Sequence, residues 1–173
     1  LAVRLEQSLF RRGVAAFVLD GDNLRHGLCA NLGFSPADRA ENIRRAGAAA
    51  RLMADAGMVV VTALISQFRE ERQKVREICT SGGVPFGEVY VNAPLAICEQ
   101  RDPKSLYKRA RSGEIKGFTG IDSPYEPPLK PELELHTDEI TVEAALTKLL
   151  QLALSLSNAD GAHHAGPDIG GGI

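Results

Sequence analysis

An α/β fold built on a parallel sheet is the class this sequence predicts, and three observations predict it. The segment 58–65 is a nearly continuous, Val-rich apolar run, the pattern of a strand covered on both faces, and the shorter apolar run 14–19 reads as a second buried strand. Segments with helical periodicity alternate with these runs, as in βαβ units. Each run then stops abruptly in polar residues, Asp20-Gly21-Asp22-Asn23 after one and Ser66-Gln67-Phe68-Arg69 after the other.

The elements follow in order. Residues 1–12 are helical in period, with Leu1, Leu5, Leu9 and Phe10 on one face, and Gly13 is a natural stop. The chain is therefore expected to begin inside a helix, as an N-terminal truncation. After the strand at 14–19, the stretch 20–27 is an acidic polar turn and 28–34 a connection. Ser35-Pro36-Ala37-Asp38 opens a helix with a Ser cap, Pro at the first position and an acid in the first turn; it runs to about Ala56 and buries Ile43, Ala46, Ala50 and Met53 or Ala54. The strand at 58–65 leads to a charged helix at 70–79, a Gly82-Gly83 loop, an alternating strand at 86–91 and a short helix from Pro94 to Arg101. Residues 119–131 are Pro-rich and irregular, 133–135 is a short last strand, and 141–156 is an amphipathic helix with Val142, Ala145, Leu146, Leu149 and Ala153 inward. The Gly, Ala, Asp and His-rich tail 157–173 is expected to be disordered.

Composition narrows the function. A length of 173 residues suits one domain, with 44% hydrophobic and 24% charged residues. A net charge of −2 argues against nucleic acid as a partner, and no apolar run has the length of a membrane span. Cys29, Cys79 and Cys98 are widely spaced and odd in number, which reads as buried, reduced thiols of a cytoplasmic protein rather than a metal cluster.

The polar strand ends carry the chemistry. In an open α/β sheet, ligands sit in the crevice outside the carboxyl ends of the strands. Asp20 and Asp22 there could hold a metal ion or take a proton from a hydroxyl, although Asp-Gly-Asp-Asn is equally good turn chemistry. Asn23 and Arg25 set donors and a fixed positive charge beside them. Arg39 and Asn42, one helical turn apart, can point at one ligand, whereas Arg44 and Arg51 read as a solvated face. The segment 102–120 carries Lys104, Lys108, Arg109, Arg111 and Lys116 between Gly113, Gly117 and Gly120. It is either a lid over phosphates or a solvated basic helix and loop. Together these groups make phosphoryl transfer the leading chemistry, since that reaction depends on positioning and charge neutralisation.

Five stretches carry a family resemblance: LDGDNLRHGL at 19–28, LGFSPADRAENIRR at 32–45, ADAGMVVVTALIS at 54–66, CEQRDPKSLYKRARSGEIKGFTGIDSPYE at 98–126 and PELELHTDE at 131–139. They resemble the adenylyl-sulfate kinase (APS kinase) family, P-loop kinases that make 3′-phosphoadenylyl sulfate from adenylyl sulfate and ATP. The resemblance implies a three-layer α/β/α fold with a mostly parallel sheet over residues 1–156, a role in sulfate activation, and ATP and Mg²⁺ as cofactors. Asp22 resembles the acid that holds Mg²⁺ or accepts the ribose 3′-hydroxyl proton, with Asp20 supporting the turn. Arg25, Arg39 and Asn42, flanked by Asn23, resemble the groups around the sulfate and phosphate end of adenylyl sulfate. Phe34 and Phe118 resemble the aromatic pair around its adenine, and Ile65 and Ser66 line the same pocket. Ser66 also matches a serine described as a phosphorylated intermediate in some members. Lys104 and Gly117 resemble substrate contacts. Arg101, Lys108, Arg109, Arg111 and Lys116 belong with the moving lid on the ATP side. A homodimer, and fusion to or association with an ATP sulfurylase, are further implied.

There are departures from the family pattern. Gln67 stands where the family usually has Pro, which is expected to loosen the turn after Ser66, and Cys29 replaces a usually polar residue. No G-x-x-x-x-G-K-[ST] occurs in the sequence; in the family that phosphate-cradling loop immediately precedes the position of Leu1, together with the first strand of the sheet. Two readings follow. One is a truncated kinase, inactive as this polypeptide; the other is a non-catalytic regulatory domain that binds adenylyl sulfate or its 3′-phosphorylated form.

Overall fold

The structure, a computed structural model, describes residues 1–160. Residues 157–160, expected in the tail, continue the last helix, while 161–173 lie outside the described residues.

Two parallel strand pairs position everything else. Strand β1 (Ala16–Asp20) pairs with β2 (Val59–Ala63), and the register sets Asp20 opposite Ala63, so both carboxyl ends reach the same edge. Strand β3 (Val89–Asn92) pairs with β4 (Leu133–His136). The sequence predicts one mostly parallel sheet; among the described residues the strands form two separate two-stranded ladders, each of them parallel. An apolar run marks a buried strand but does not name its neighbour. The third strand starts at Val89 rather than Phe86, and there the Glu88 N–H is taken by the Glu132 carboxylate at 2.6 Å.

Alternating side chains give the ladders two covered faces. On one, Ala16, Val59, Val61, Val89 and Leu133 pack with Leu5 and Leu9 of α1 (Ala2–Phe10) and with Ala145, Leu149 and Ala153 of α7 (Val142–Asp160). Both ladders thus share a single core, centred on Leu9 and Leu135, each 0% exposed. On the other face, Leu19, Val60 and Leu64 pack with Leu24, Cys29, Ala46 and Ala50. Leu24 belongs to α2 (Gly21–His26), while Ala46 and Ala50 belong to α3 (Pro36–Asp55). The outcome is helices, strands, helices in three layers. Phe10 and Val142, placed inward by periodicity, are instead exposed; the buried stripe of α1 is Leu5, Ser8 and Leu9.

The start of α3 follows its capping signal: the Ser35 hydroxyl accepts the Asp38 N–H at 3.1 Å, with Pro36 in the first turn. On its outer side α3 meets α4 (Arg69–Thr80), and Gly47 sets how closely they approach. A Cβ at Gly47 would lie 2.8 and 2.9 Å from the two methyls of Val75, a β-branched side chain with little freedom to move. Helix propensity favours Gly47→Ala by about 1 kcal/mol, but overpacking costs about 1–3 kcal/mol. Gly47→Ala is therefore expected to lower the thermal midpoint; an unchanged or raised midpoint would show that the two helices can separate freely.

Candidate active site

The acidic stretch after β1 is a short helix rather than a turn. Asp20 caps it, its Oδ1 accepting the Asn23 N–H at 2.7 Å, and Leu24 is buried beneath it. Asp20 is thus spent on local structure. Asp22 is free to act: its side chain is 75% exposed and its Oδ2 accepts from Lys104 Nζ at 3.0 Å. The bond to Lys104 and its positive charge hold the Asp22 carboxyl below the usual carboxylate range. Lys104 lies between α5 (Leu95–Arg101) and α6 (Leu106–Arg111), so this ion pair ties the start of the basic segment to the acidic helix.

Beyond the carboxyl ends of β1 and β2 lies a cleft of about 190 Å³, walled by Gly21, Arg25, Phe34, Arg39, Asn42 and the 63–67 stretch among others. Arg25 donates to the carbonyls of Leu32 and Gly33 and stacks its guanidinium 4.2 Å from the Phe34 ring centre. Arg39 is a keystone. Its Nε donates to Phe34 O, Nη1 to Gln67 Oε1 and Thr119 Oγ1, and Nη2 to Gly117 O, at 2.8–3.2 Å. Asn42 is buried, yet its Oδ1 has no partner. A buried amide oxygen left unpaired costs about 1–3 kcal/mol, which a ligand donor would recover. Glu71, on the same wall, also has an unpartnered buried oxygen, and burial raises its carboxyl above the usual range.

The turn at the end of β2 is strained and held. Ser66 has φ 45°, the left-handed region that a non-glycine residue rarely adopts. Arg72 donates to its carbonyl and to that of Glu126, while pairing with Glu88 at 2.6 Å. Gln67 is 4% exposed and its amide oxygen and nitrogen both make side-chain hydrogen bonds, so where the sequence suggests a loosened turn the structure has one that Gln67 fastens.

The basic segment folds back over this edge. Asp122 accepts the backbone N–H groups of Gly117 and Phe118, which pull its carboxyl below the usual range. Gly117 and Gly120, with φ +67° and +89°, supply the left-handed backbone this tight loop needs. Arg109 pairs with Glu114, Arg111 with Glu99, and Arg101 donates to the hydroxyl and carbonyl of Thr137. Lys108 and Lys116 are exposed.

Of the residues expected at the site, Arg25, Phe34, Arg39, Asn42, Ile65 and Ser66 line the cleft together. Asp22, Asn23, Lys104, Gly117 and Phe118 lie outside that lining. Gly117 touches the cleft through Arg39, and Asp22 adjoins Gly21 in sequence. The aromatic pair is differently partnered than expected: Phe34 faces Arg25, and Phe118 meets Tyr107 edge-on at 5.1 Å. Sequence reasoning missed Gln67 and Asp122 as structural ties. The pattern Gly117-x-x-Gly120-x-Asp122 contains the signal for the second, since Asp commonly bonds nearby backbone N–H groups in turns.

The Adenylylsulphate kinase family model matches residues 1–136. An adenylyl-sulfate kinase of Staphylococcus carnosus (strain TM300) is 56% identical over 87% of this chain and 75% of its own length. Its counterpart of Yersinia pestis is 60% identical over 81% of this chain, which spans 65% of that relative's length. Among solved structures, the APS kinase of Mycobacterium tuberculosis in complex with AMPPNP and APS superposes with a TM-score of 0.85 at 47% identity, over 89% of this chain and 88% of that one.

Proposed function

This chain belongs to the adenylylsulphate kinase family, and from that premise we propose that its cleft binds adenosine 5′-phosphosulfate (APS) and that the full-length protein transfers the γ-phosphoryl group of ATP to the ribose 3′-hydroxyl. The observation that carries this reading is the orphaned Asn42 oxygen in a cleft also lined by two guanidinium groups and an exposed aromatic ring. An anionic, ring-bearing ligand with hydrogen-bonding groups satisfies all of them at once. Arg25, Arg39 and the Asn42 side-chain NH₂ hold the sulfate and phosphate end, with Asn23 beside them, while the Asn42 oxygen accepts from a hydroxyl or amino group of the same ligand. The exposed Phe34 receives the adenine against Ile65, and Phe118 covers it from the loop.

In the transfer, the 3′-oxygen bonds to the γ-phosphorus, the bond from that phosphorus to the ADP oxygen breaks, and the hydroxyl proton passes by way of the Asp22 carboxylate to solvent. Asp22, at the carboxyl edge, orients the hydroxyl. Its low proton affinity beside Lys104 makes it better suited to holding charge than to keeping a proton. Lys104 releases Asp22 to meet the phosphates, and Lys108, Lys116 and the partly paired Arg109 and Arg111 screen the ATP side. Ser66 lines the pocket, and direct in-line transfer requires no covalent role from it. Mg²⁺ accompanying ATP neutralises phosphate charge. It needs only one or two protein carboxylates, a demand Asp22 can meet. Among the described residues no group of three or more His, Cys, Asp or Glu gathers to hold a metal on its own.

A second reading is a regulatory domain that binds APS or its 3′-phosphorylated form without turnover. No helix of the described residues is long and apolar enough to cross a membrane. A cytoplasmic location rests on the cysteine pattern, and a homodimer and an association with ATP sulfurylase on family resemblance. Calorimetry with APS and a coupled assay for ADP test the two readings. The 173-residue polypeptide is expected to bind APS yet turn over at least about 10³-fold more slowly than an intact kinase, the scale on which loss of one phosphate-stabilising group acts in this chemistry. Turnover by the full-length protein supports the kinase; binding alone supports the sensor; neither overturns both.

A further inference from the structure

We propose that Gln67 is a positioning residue, a latch that ties the 117–126 loop to the cleft wall and fixes the Arg39 guanidinium for substrate. Its side chain touches every part that must be held. The amide oxygen accepts from Arg39 Nη1 at 3.2 Å and from Thr119 Oγ1 at 2.7 Å, and the amide nitrogen donates to Ser123 Oγ at 3.2 Å. Its backbone carbonyl accepts the Glu126 N–H at 2.9 Å. An arginine can only donate, so the oxygen must face Arg39, and the amide orientation is fixed by its neighbours. One buried residue therefore joins three elements that are distant in sequence: the carboxyl end of β2, the first turns of α3, and the glycine-hinged loop, held at Thr119 and Ser123 by the side chain and at Glu126 by the backbone.

The strained Ser66 immediately before it supports the same role. A left-handed residue at the strand end turns the chain sharply before Gln67, a conformation that persists only where neighbours hold it. Arg39 also bonds Thr119 and Gly117 directly, which closes a ring of contacts: Gln67 to Arg39, Arg39 to the loop, and the loop back to Gln67. Removing the amide leaves Arg39 Nη1 with only Thr119 Oγ1, which has itself lost its own acceptor.

The effect on substrate rests on the APS reading above; the effect on the loop does not, and the two are measured separately. In the full-length protein, Gln67→Leu keeps the volume and removes the polar contacts. Without ligand, hydrogen exchange of the amides at 120–123 is expected to accelerate about fivefold or more, while β1 and β2 exchange as in the parent. The KM for APS is expected to rise about tenfold, the scale of one net buried hydrogen bond, with kcat changed less than about twofold. Gln67→Glu, whose carboxylate accepts from Arg39, Thr119 and Ser123, should restore the loop exchange within about threefold but not the KM, because its negative charge beside Arg39 opposes the anionic ligand. Uniform acceleration across the strands, or a lowered melting midpoint with unchanged KM, would assign Gln67 a merely structural role and overturn the proposal. Unchanged loop exchange in a folded Gln67→Leu protein would overturn it too, whether or not APS binds. If the parent protein shows no APS affinity, the functional reading falls while the exchange data still decide the latch.

Discussion

Asp22→Ala is expected to abolish turnover of the full-length protein while leaving its fold intact, with kcat lower by about 10²- to 10⁴-fold, the usual worth of a positioned acid–base or charge-bearing group. The argument is one of exposure. Asp22 buries nothing, and its single side-chain partner is the equally exposed Lys104. A surface pair of this kind adds little to stability, and such substitutions usually stay within about 0.5 kcal/mol. The neighbouring Asp20 is the contrast. It caps α2 through Asn23, so Asp20→Ala would disturb the acidic helix by a route unrelated to chemistry. A coupled assay for ADP release, with melting curves alongside, separates the two residues. Near-normal turnover by Asp22→Ala would remove it from the mechanism. Lys104→Ala refines the assignment. If Lys104 leaves Asp22 to meet the phosphates when substrate arrives, its loss raises KM for ATP more than it lowers kcat.

Local signals were legible in the sequence to the extent that they act locally. Ser35, Pro36 and Asp38 announced the start of α3, and the Ile43, Ala46 and Ala50 stripe is the face the helix buries. The apolar runs before Asp20 and Ser66 became β1 and β2, and their polar ends came together because parallel strands in register end on one edge. What the residues did not reveal depends on partners far away in the chain. The split into two ladders is one case, since pairing is decided by how α1 and α7 draw both pairs onto one core. The helix at 21–26 is another: Gly-Asp-Asn has turn composition, and the Asp20 cap together with burial of Leu24 favours the helix. Gln67 is the sharpest case. Taken alone, an amide in place of a proline suggests a looser turn, yet three partners, 28, 52 and 56 residues distant, make it a tie. Arg25 and Phe34 were each placed at the site, but their stacking on each other was invisible to a reading that paired aromatic with aromatic.

Arg39→Ala is expected to raise the KM for APS by about 10²-fold, more than any other substitution on the cleft wall, with kcat less affected. Truncating one partner of a hydrogen-bonded charge network costs about 2–5 kcal/mol, and here two losses coincide. The cleft loses a positive charge that faces the anionic end of the ligand. The 117–119 stretch also loses its direct bonds to α3, through Gly117 O and Thr119 Oγ1. Arg39→Lys separates them. A lysine keeps the charge, but its three donors radiate from one point and cannot reach Phe34 O, Gln67, Thr119 and Gly117 together as the guanidinium fork does. If charge dominates, Arg39→Lys recovers most of the affinity and the Arg39→Ala defect shrinks with salt, since screening weakens exposed charges over about 10 Å at 0.1 M. If the bonding ring dominates, Arg39→Lys recovers less than about tenfold, the defect is insensitive to salt, and loop exchange accelerates as in Gln67→Leu. The half-buried setting of Arg39 and its four acceptors favour the second outcome. On that account, the guanidinium reaches the ligand with little more than its remaining N–H, and its larger task is to hold closed the wall that the ligand leans on.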